Sequence, residues 1–320
     1  MTWRPASTLQ TLRARAAMLR AAREFFSERG VLEVETPILS AAAASDPHIE
    51  PLSAGVSGIS RRFYLCTSAE YAMKRLLAAG CGDIYQIGKV FRDEEHGRWH
   101  NPEFTMVEWY RLGFDDGAMM RETEELLARL LAPHRRLAKA ERLTYAEALE
   151  RHAGIEVGTA SEAELDAAAA RLGIACDASL DRDARLDLLM GLVVGPQLGR
   201  GGSPTFLCDY PPSQASLARI KPGVPRVAAR FELYLDGLEL ANGFHELCDV
   251  SEQRARFEQD FITRRSRGQR EMPLDTRLLD ALAQGLPDCA GVALGFDRLV
   301  ALAVGADSLR AAMAFPIDSA

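Results

Sequence analysis

Hydrophobic residues near the start of the chain recur at intervals of three or four, which is the spacing of one helix face. The pattern predicts a helix over residues 8–29, and Gly30 directly after it is typical of a helix C-terminus. The next stretch, 31–39, has the pattern of a strand, but its Pro37 lacks a backbone donor. This stretch therefore suits a sheet edge or an interface better than the centre of a sheet.

The stretch from residue 40 to residue 110 combines a loop, a helix and two strands. Residues 40–60 are small and rich in glycine and serine, which indicates a loop. Ser68 predicts the N-cap of a helix at about 69–79. Two apolar runs then predict strands over 84–91 and 103–110, joined by a charged loop.

After residue 110 the pattern is first helical and then strand-like. Residues 115–198 have a helical pattern, with capping-box sequences at Thr144–Glu147 and Ser161–Glu164. Strands are predicted at 205–210, at 230–244 and in a short apolar run close to the C-terminus. Strands in the first and last thirds, separated by a helical insertion at about 115–198, predict an α+β fold with a mostly antiparallel sheet flanked by helices.

The composition is typical of a soluble globular domain, and we expect one domain over residues 1–320: 48% of the residues are hydrophobic and 26% are charged. A formal net charge of −7 argues against a broad nucleic-acid surface, although residues 219–230 and 254–270 are locally basic. The six cysteines form no CxxC pair, which argues against a zinc site. Neither an apolar run of the ~20 residues that a membrane span needs nor an export signal is found, so we expect a cytoplasmic location.

The first candidate site lies on a predicted hairpin. Asp236-Gly237 between two alternating apolar runs is typical of a two-residue turn. With that turn, Tyr234 lies opposite Glu239. Glu232 lies opposite Ala241, and the two glutamates become diagonal neighbours about 7–8 Å apart at the backbone. Such a pair of carboxylates suits Mg²⁺, with phosphate oxygens completing its shell; a solvent-exposed polar face is the alternative.

A second candidate site surrounds Arg92, at the end of the strand 84–91. A guanidinium is planar and permanently charged, which suits phosphate. On the returning strand Phe104, Met106, Glu108 and Tyr110 share one face by alternation, and this face suits an adenine ring and an amine. The alternative is an ordinary charged hairpin whose apolar residues belong to the core.

A third candidate site lies in the run GVALGFDRLVAL, residues 291–302. Asp297 and Arg298 fall in the first turn of a predicted helix, where an arginine is unfavourable to the helix dipole. An anionic partner would explain the arginine, whereas structural packing is the default for so short a motif.

Together, three segments resemble in order and spacing the three motifs of class II aminoacyl-tRNA synthetases: 31–39, 91–110 and 291–299. Similarity to the lysyl branch of that family spans residues 8–320 and is carried by TSAEY (67–71), HNPEFTMVEWY (100–110) and ELANGFHEL (239–247). The resemblance also implies a homodimer, because motif 1 lies at the subunit interface in that family.

The resemblance implies a role for each matching residue. Arg92 would hold the α-phosphate of ATP, Arg298 would hold the γ-phosphate, and these two would be the catalytic residues. Glu232 and Glu239 would bind Mg²⁺. The set implied for ATP is Arg92, Asp93, Glu94, Asn101, Phe104, Glu239, Leu240, Gly295 and Arg298. The set implied for the amino-acid substrate is Ser68, Ala69, Glu70, Glu108, Tyr110, Asn242, Phe244, Glu246 and Ala293.

Two departures from the lysyl branch bear on the acceptor of the acyl group. Lysyl-tRNA synthetases carry an anticodon-binding domain before motif 1, whereas motif 1 here begins at Val31, and Ala293 stands where the tRNA-charging branch has glycine. The chain therefore resembles the truncated paralogues that ligate (R)-β-lysine to a lysine of elongation factor P. We expect that reaction, with ATP and Mg²⁺ and without stable nucleic-acid binding. The alternatives are a lysine-activating enzyme that acts on tRNA or a small molecule, and a non-catalytic paralogue.

Overall fold

The computed structural model describes residues 3–177 and 179–320 and is built around β-strands from both ends of the chain. In chain order the strands are β1 (Leu32–Glu33), β2 (Leu39–Ser40), β3 (Ser53–Val56), β4 (Ile59–Leu65), β5 (Ile84–Phe91), β6 (Glu103–Leu112), β7 (Glu141–Thr144), β8 (Thr205–Tyr210), β9 (Ile220–Lys221), β10 (Val227–Leu235), β11 (Leu238–His245) and β12 (Cys289–Gly295).

Nine of these strands form one large sheet. Its order is β1-β5-β6-β12-β11-β10-β8-β7, and β9 pairs with β10. The pairs β1–β5 and β7–β8 are parallel, and the other pairs are antiparallel. The strands β2, β4 and β3 form a small antiparallel sheet. The predicted α+β fold with a mostly antiparallel sheet is confirmed.

Helices flank the sheet, and two of them begin at the predicted capping boxes. The helices are α1 (Leu9–Ser27), α2 (Glu70–Ala78), α3 (Asp116–Leu131), α4 (Tyr145–Ala153), α5 (Glu162–Arg171), α6 (Arg182–Leu189), α7 (Val250–Ser266), α8 (Thr276–Gly285), α9 (Phe296–Ala303) and α10 (Leu309–Ala312). Both predicted capping boxes form, at the starts of α4 and α5. Within the described ranges, no helix has the length and apolar composition needed to cross a bilayer.

The main core lies between one face of the large sheet and α1, α3 and α9. Val107 and Trp109 of β6 point into it, as do Val292 and Leu294 of β12. Phe26 of α1 belongs to the same core. Because side chains alternate along a strand, the residues between these positions point to the opposite face of the sheet.

Three segments differ from the predicted elements. The stretch 31–39 forms β1 and β2, which belong to different sheets, and Pro37 lies between them. The predicted loop 40–60 contains β3 and the first residues of β4. The predicted helical stretch 115–198 contains β7, whose partner β8 is distant in sequence. A strand of four residues that depends on a distant partner leaves little local signal.

The hairpin of β10 and β11 has the predicted two-residue turn, but its register changes farther from the turn. Glu232 lies opposite Asn242, and the predicted pairing with Ala241 is wrong. The cause is a β-bulge in which Leu240 is an extra residue on β11. Leu240 and Ala241 are both part of the main core. Asn242 consequently shares the opposite face with Glu239, which strict alternation would not allow.

Candidate functional site

A cleft of about 1000 Å³ lies over the sheet face opposite the main core. Its floor comes from β6, β10, β11 and β12, and its walls include the segment before β3, the start of α2, and α6. All three candidate sites predicted from the sequence contribute residues to the lining of this cleft.

A row of side chains in register crosses the sheet beneath the cleft. Glu232 lies opposite Asn242, and Asn242 lies opposite Ala293. Ala293 in turn lies opposite Glu108, and Glu108 lies opposite Gln86. Within the described part of the chain, Oδ1 of Asn242 is buried and has no hydrogen-bond partner. A buried acceptor without a partner is costly, so this oxygen is suited to receive a donor from a ligand.

Two guanidinium groups lie at one end of the cleft. Arg298 donates to the carbonyls of Trp99 at 3.1 Å and Glu239 at 2.8 Å, and it lies 2.7 Å from Nε2 of His100. Burial and the charge of Arg298 lower the pKa of His100, which favours the neutral ring that can accept this hydrogen bond. Among the described residues, no carboxylate forms an ion pair with Arg298.

Arg92 is held beside an aromatic ring at the same end. Its Nε donates to the carbonyl of Thr67 at 3.3 Å, and its guanidinium carbon lies 5.2 Å from the ring centre of Phe104. The one carboxylate close to Arg92 belongs to Glu95, at 3.7 Å, among the residues that the structure describes. Both arginines therefore retain positive charge that can attract an anion.

Glu232 and Glu239 line the cleft near these arginines. Glu232 accepts hydrogen bonds from Arg230 at 2.6 Å and from the hydroxyl of Tyr234 at 2.7 Å. Burial raises the pKa of Glu239 to about 7, and the charge of Glu232 contributes to the rise. A carboxylate whose ionisation a neighbouring carboxylate disfavours provides a suitable place for a cation.

A buried ion-paired cluster lies behind the floor at the other end. Nζ of Lys74 lies 2.6 Å from Oε1 of Glu70 and 2.5 Å from Oε2 of Glu246. Burial lowers the pKa of Lys74, but the two carboxylates outweigh this effect and raise it above its ordinary value. Burial raises the pKa of Glu246, as do Glu70 and Glu108, whereas Lys74 opposes the rise.

Glu108 belongs to the same buried layer. One of its oxygens accepts hydrogen bonds from the hydroxyl of Ser68 at 2.9 Å and the amide of Ala69 at 3.0 Å. The other accepts from the hydroxyl of Tyr110 at 2.8 Å, which confirms that Glu108 and Tyr110 share a face. Burial and the charge of Glu70 raise the pKa of Glu108 to about 7.

The start of α2 differs by one residue from its prediction. The structure places Ala69 at the N-cap and begins the helix at Glu70. The hydroxyl of Ser68 accepts from the Glu70 amide at 3.0 Å and donates to Glu108. Ser68 therefore connects the helix to the carboxylate layer.

The predicted site residues fall into two groups. Those that line the cleft are Ser68, Ala69, Glu70, Arg92, Asn101, Phe104, Glu232, Glu239, Leu240, Asn242, Phe244, Ala293, Gly295 and Arg298. Those that do not line it are Asp93, Glu94, Glu108, Tyr110 and Glu246. Of these, the last three form the buried layer behind the floor.

Asn101 lines the cleft, but its amide is occupied by protein contacts. Its Nδ2 donates to the carbonyl of Glu103 at 2.6 Å, and its Oδ1 accepts from the amide of Ile317 at 2.9 Å. Asn101 thus connects β6 to the C-terminal segment.

Two charged residues next to the predicted site were not predicted to take part in it. Lys74 follows Glu70 by four residues, the spacing of a helical ion pair, and this was the available signal. Arg230 precedes Glu232 by two residues on β10 and so shares its face. Such local spacings are common on protein surfaces, which is why they do not identify a site alone.

The basic segment 219–230 forms internal contacts. Arg219 pairs with Asp288. Lys221 lies 2.6 Å from Asp116 and 2.7 Å from Asp209. Most of the positive charge of the segment 219–230 is therefore neutralised within the fold.

Comparison with known proteins gives a consistent result. The model of the class II tRNA synthetases (D, K and N) matches residues 1–319. Proteins named elongation factor P–(R)-β-lysine ligase from Salmonella dublin, Salmonella paratyphi B and Salmonella heidelberg are each 49% identical over 325 aligned positions, covering 100% of this chain and 98% of theirs. The resemblance inferred from the three motifs is confirmed.

Proposed function

The chain belongs to the class II tRNA synthetases of the D, K and N group, and on this basis we propose that it activates (R)-β-lysine with ATP and ligates it to a lysine side chain of elongation factor P. The observation that carries the proposal is one cleft with two arginines at one end and buried carboxylates at the other. This distribution of charge suits a nucleotide triphosphate next to a diamino acid.

ATP is assigned to the arginine end. Arg92 and Arg298 hold its phosphates, and Phe104, already beside Arg92, offers its ring to the adenine. Leu240 and Gly295 line the same part of the cleft. Asp93, Glu94 and Asn101 are assigned to the adenine side as neighbours of this loop rather than as free groups, because the Asn101 amide is occupied.

The chemistry of Glu232 and Glu239 fits Mg²⁺ that arrives with ATP. The described residues contain no cluster of three or more His, Cys, Asp or Glu side chains that could hold a metal. A pair of carboxylates without a third ligand is typical of Mg²⁺ sites in which phosphate oxygens and water complete the shell. When bound, the ion neutralises phosphate charge.

The amino acid is assigned to the carboxylate end. Glu70 and Asn242 line the cleft and offer acceptors to its ammonium groups. We assign Glu108, Tyr110 and Glu246 to the same pocket as the buried layer behind its floor. Charged partners are needed there because a buried ammonium without one is costly.

The reaction proceeds in two steps. The substrate carboxylate attacks the α-phosphorus of ATP, forming the acyl-adenylate and releasing pyrophosphate. The neutral amine of the acceptor lysine then attacks the acyl carbon, forming an amide, releasing AMP and losing a proton. Arg92 and Arg298 stabilise the charge that develops on the phosphates, and the cleft fixes the reacting groups in place.

A homodimer is part of the proposal. The motif 1 segment leaves Leu32, Ile38 and Leu39 exposed to 54%, 46% and 41%. Apolar side chains exposed along one short segment are typical of a contact surface. We assign the whole chain to one catalytic domain with an insertion at about 115–198.

The test measures the two steps separately. ATP–pyrophosphate exchange with (R)-β-lysine and with L-lysine reports activation, and transfer of labelled acyl group to elongation factor P or to tRNA reports the acceptor. We expect preference for (R)-β-lysine and transfer to the protein. Acylation of tRNA at a comparable rate would contradict the proposal.

A further inference from the structure

Lys74 is a buried cation to which the proposed reaction gives no role. Its side chain is 1% exposed, and its ammonium bridges Glu70 of α2 and Glu246 after β11. Neither Lys74 nor Glu246 lines the open cleft, whereas Glu70 does. The ammonium therefore joins the helix to the sheet directly behind the pocket.

The ion pairs leave part of each carboxylate free. Lys74 contacts Oε1 of Glu70 and Oε2 of Glu246, and the described residues donate no hydrogen bond to the other oxygen of either group. Both oxygens of Glu108, in contrast, already accept hydrogen bonds. Glu70 lines the cleft, so its free oxygen is able to accept from a substrate ammonium, and Glu246 holds a second free oxygen in the layer behind the floor.

Lys74 has little freedom to leave these partners. Met73 and Leu77, its neighbours on α2, are almost completely buried. Moving the ammonium away from the carboxylates into this apolar cluster would leave a buried charge unpaired, which is strongly unfavourable in free energy. Lys74 therefore acts as a permanent counter-ion.

We propose that Lys74 is a positioning residue that holds Glu246 beside Glu70, so that the pocket can bind an ammonium group of a diamino acid. The inference rests on the proposed function and deepens it by assigning a residue outside the cleft to substrate selection.

The surroundings of Lys74 offer no substitute for its charge. The titratable groups that face Lys74 and Glu246 are Glu70, Glu108, Tyr110, Cys248 and Cys289. Arg219 donates to the backbone carbonyl of Glu246 at 3.1 Å, but its guanidinium pairs with Asp288. Burial raises the pKa of the phenol and of both thiols, so these groups stay neutral. Beside Lys74 the pKa of Glu246 is raised to about 8, and without Lys74 burial and the neighbouring glutamates would raise it further, so that Glu246 would ionise only at higher pH.

The experiment compares Lys74→Met with wild type in pyrophosphate exchange, with KM for (R)-β-lysine measured from about pH 6 to about pH 9.5. We expect KM to rise about tenfold or more near neutral pH, and the decrease of KM with rising pH to be displaced to higher pH than in wild type. The matched control is Lys89→Met, which removes a half-exposed lysine that lies 3.1 Å from Glu103.

A second variant, Lys74→Met/Glu246→Gln, removes both charges and avoids an unpaired buried carboxylate. It should fold even if the single variant does not, and its KM should be high at every pH because no carboxylate remains to ionise at position 246. A wild-type KM in either variant, or a loss in Lys74→Met that does not depend on pH, would overturn the role of Lys74. If wild type itself exchanged pyrophosphate with no diamino acid, the proposed function would fail instead.

Discussion

Ala293 of β12 lies directly opposite Glu108 of β6, and its other neighbour in the row is Asn242 of β11. Its methyl group therefore lies on the cleft floor between a carboxylate and an amide with a free oxygen. A change of one carbon at this position changes the depth of the floor without changing its charge.

Substitution of Ala293 should alter the choice of substrate. Ala293→Gly deepens the floor, and we expect the ratio of exchange rates with L-lysine and (R)-β-lysine to shift toward L-lysine by about tenfold, the scale of one methylene in a pocket. Ala293→Val, which fills the floor, should reduce exchange with both. Equal ratios in wild type and Ala293→Gly would show that the methyl group does not select the substrate.

Arg298 should be required for activation. Its guanidinium is held by two carbonyls, so Arg298→Ala removes a fixed charge, and we expect pyrophosphate exchange to fall by about 100-fold or more. Arg298→Lys should recover little, because an ammonium lacks the planar fork. Arg310→Ala, at an exposed ion pair with Asp318, is the control and should retain its rate. Full exchange by Arg298→Ala would rule out the assigned role.

The sequence predicted most of the fold because periodicity and capping are local signals. The helix at the N-terminus, both capping boxes and the Asp236-Gly237 turn are confirmed. The bulge at Leu240 could not be predicted, because the extra residue is specified by packing against the main core and not by the turn.

The sequence likewise predicted only part of the candidate site. Motif spacing identified the residues that line the cleft, but not the layer behind it. Lys74 and Glu246 are far apart in sequence, and only the packing of α2 against the sheet brings them together. Their pairing is therefore a property of tertiary structure.

Glu108 should make stability depend on pH in a defined direction. Its pKa is about 7 in the folded protein, against an ordinary value of 4.5, so the folded state binds more protons between these values. The free energy of unfolding should therefore decrease as pH rises from about 4.5 to about 7. Glu108→Gln removes this contribution, and its melting temperature should decline less over the same range. Identical slopes for both proteins, measured by calorimetry without substrate, would contradict the raised pKa.

The motif 1 segment should hold the dimer together. Ile38→Glu/Leu39→Glu introduces charge on exposed apolar side chains, and sedimentation velocity should show a shift from dimer to monomer. Ile262→Glu, at an exposed isoleucine of α7 that is 57% accessible, is the matched control and should leave the assembly unchanged. A wild-type protein that sediments as a monomer would refute the assignment outright.

Gly291 should tolerate no side chain, because it provides the space that the buried carboxylate layer occupies. A Cβ at this position would lie 2.2 Å from Cε1 of Tyr110 and 2.6 Å from Oε1 of Glu246, so both groups would have to move. For Gly291→Ala we expect a loss of about 1–3 kcal/mol in unfolding free energy, typical of overpacking.

We also expect KM for the amino acid to rise more than KM for ATP in this variant, since the arginine end is distant from the change. Gly55→Ala, where an added Cβ meets open space, is the control. Equal increases in the two KM values would indicate general distortion of the cleft and not a local displacement of Tyr110 and Glu246.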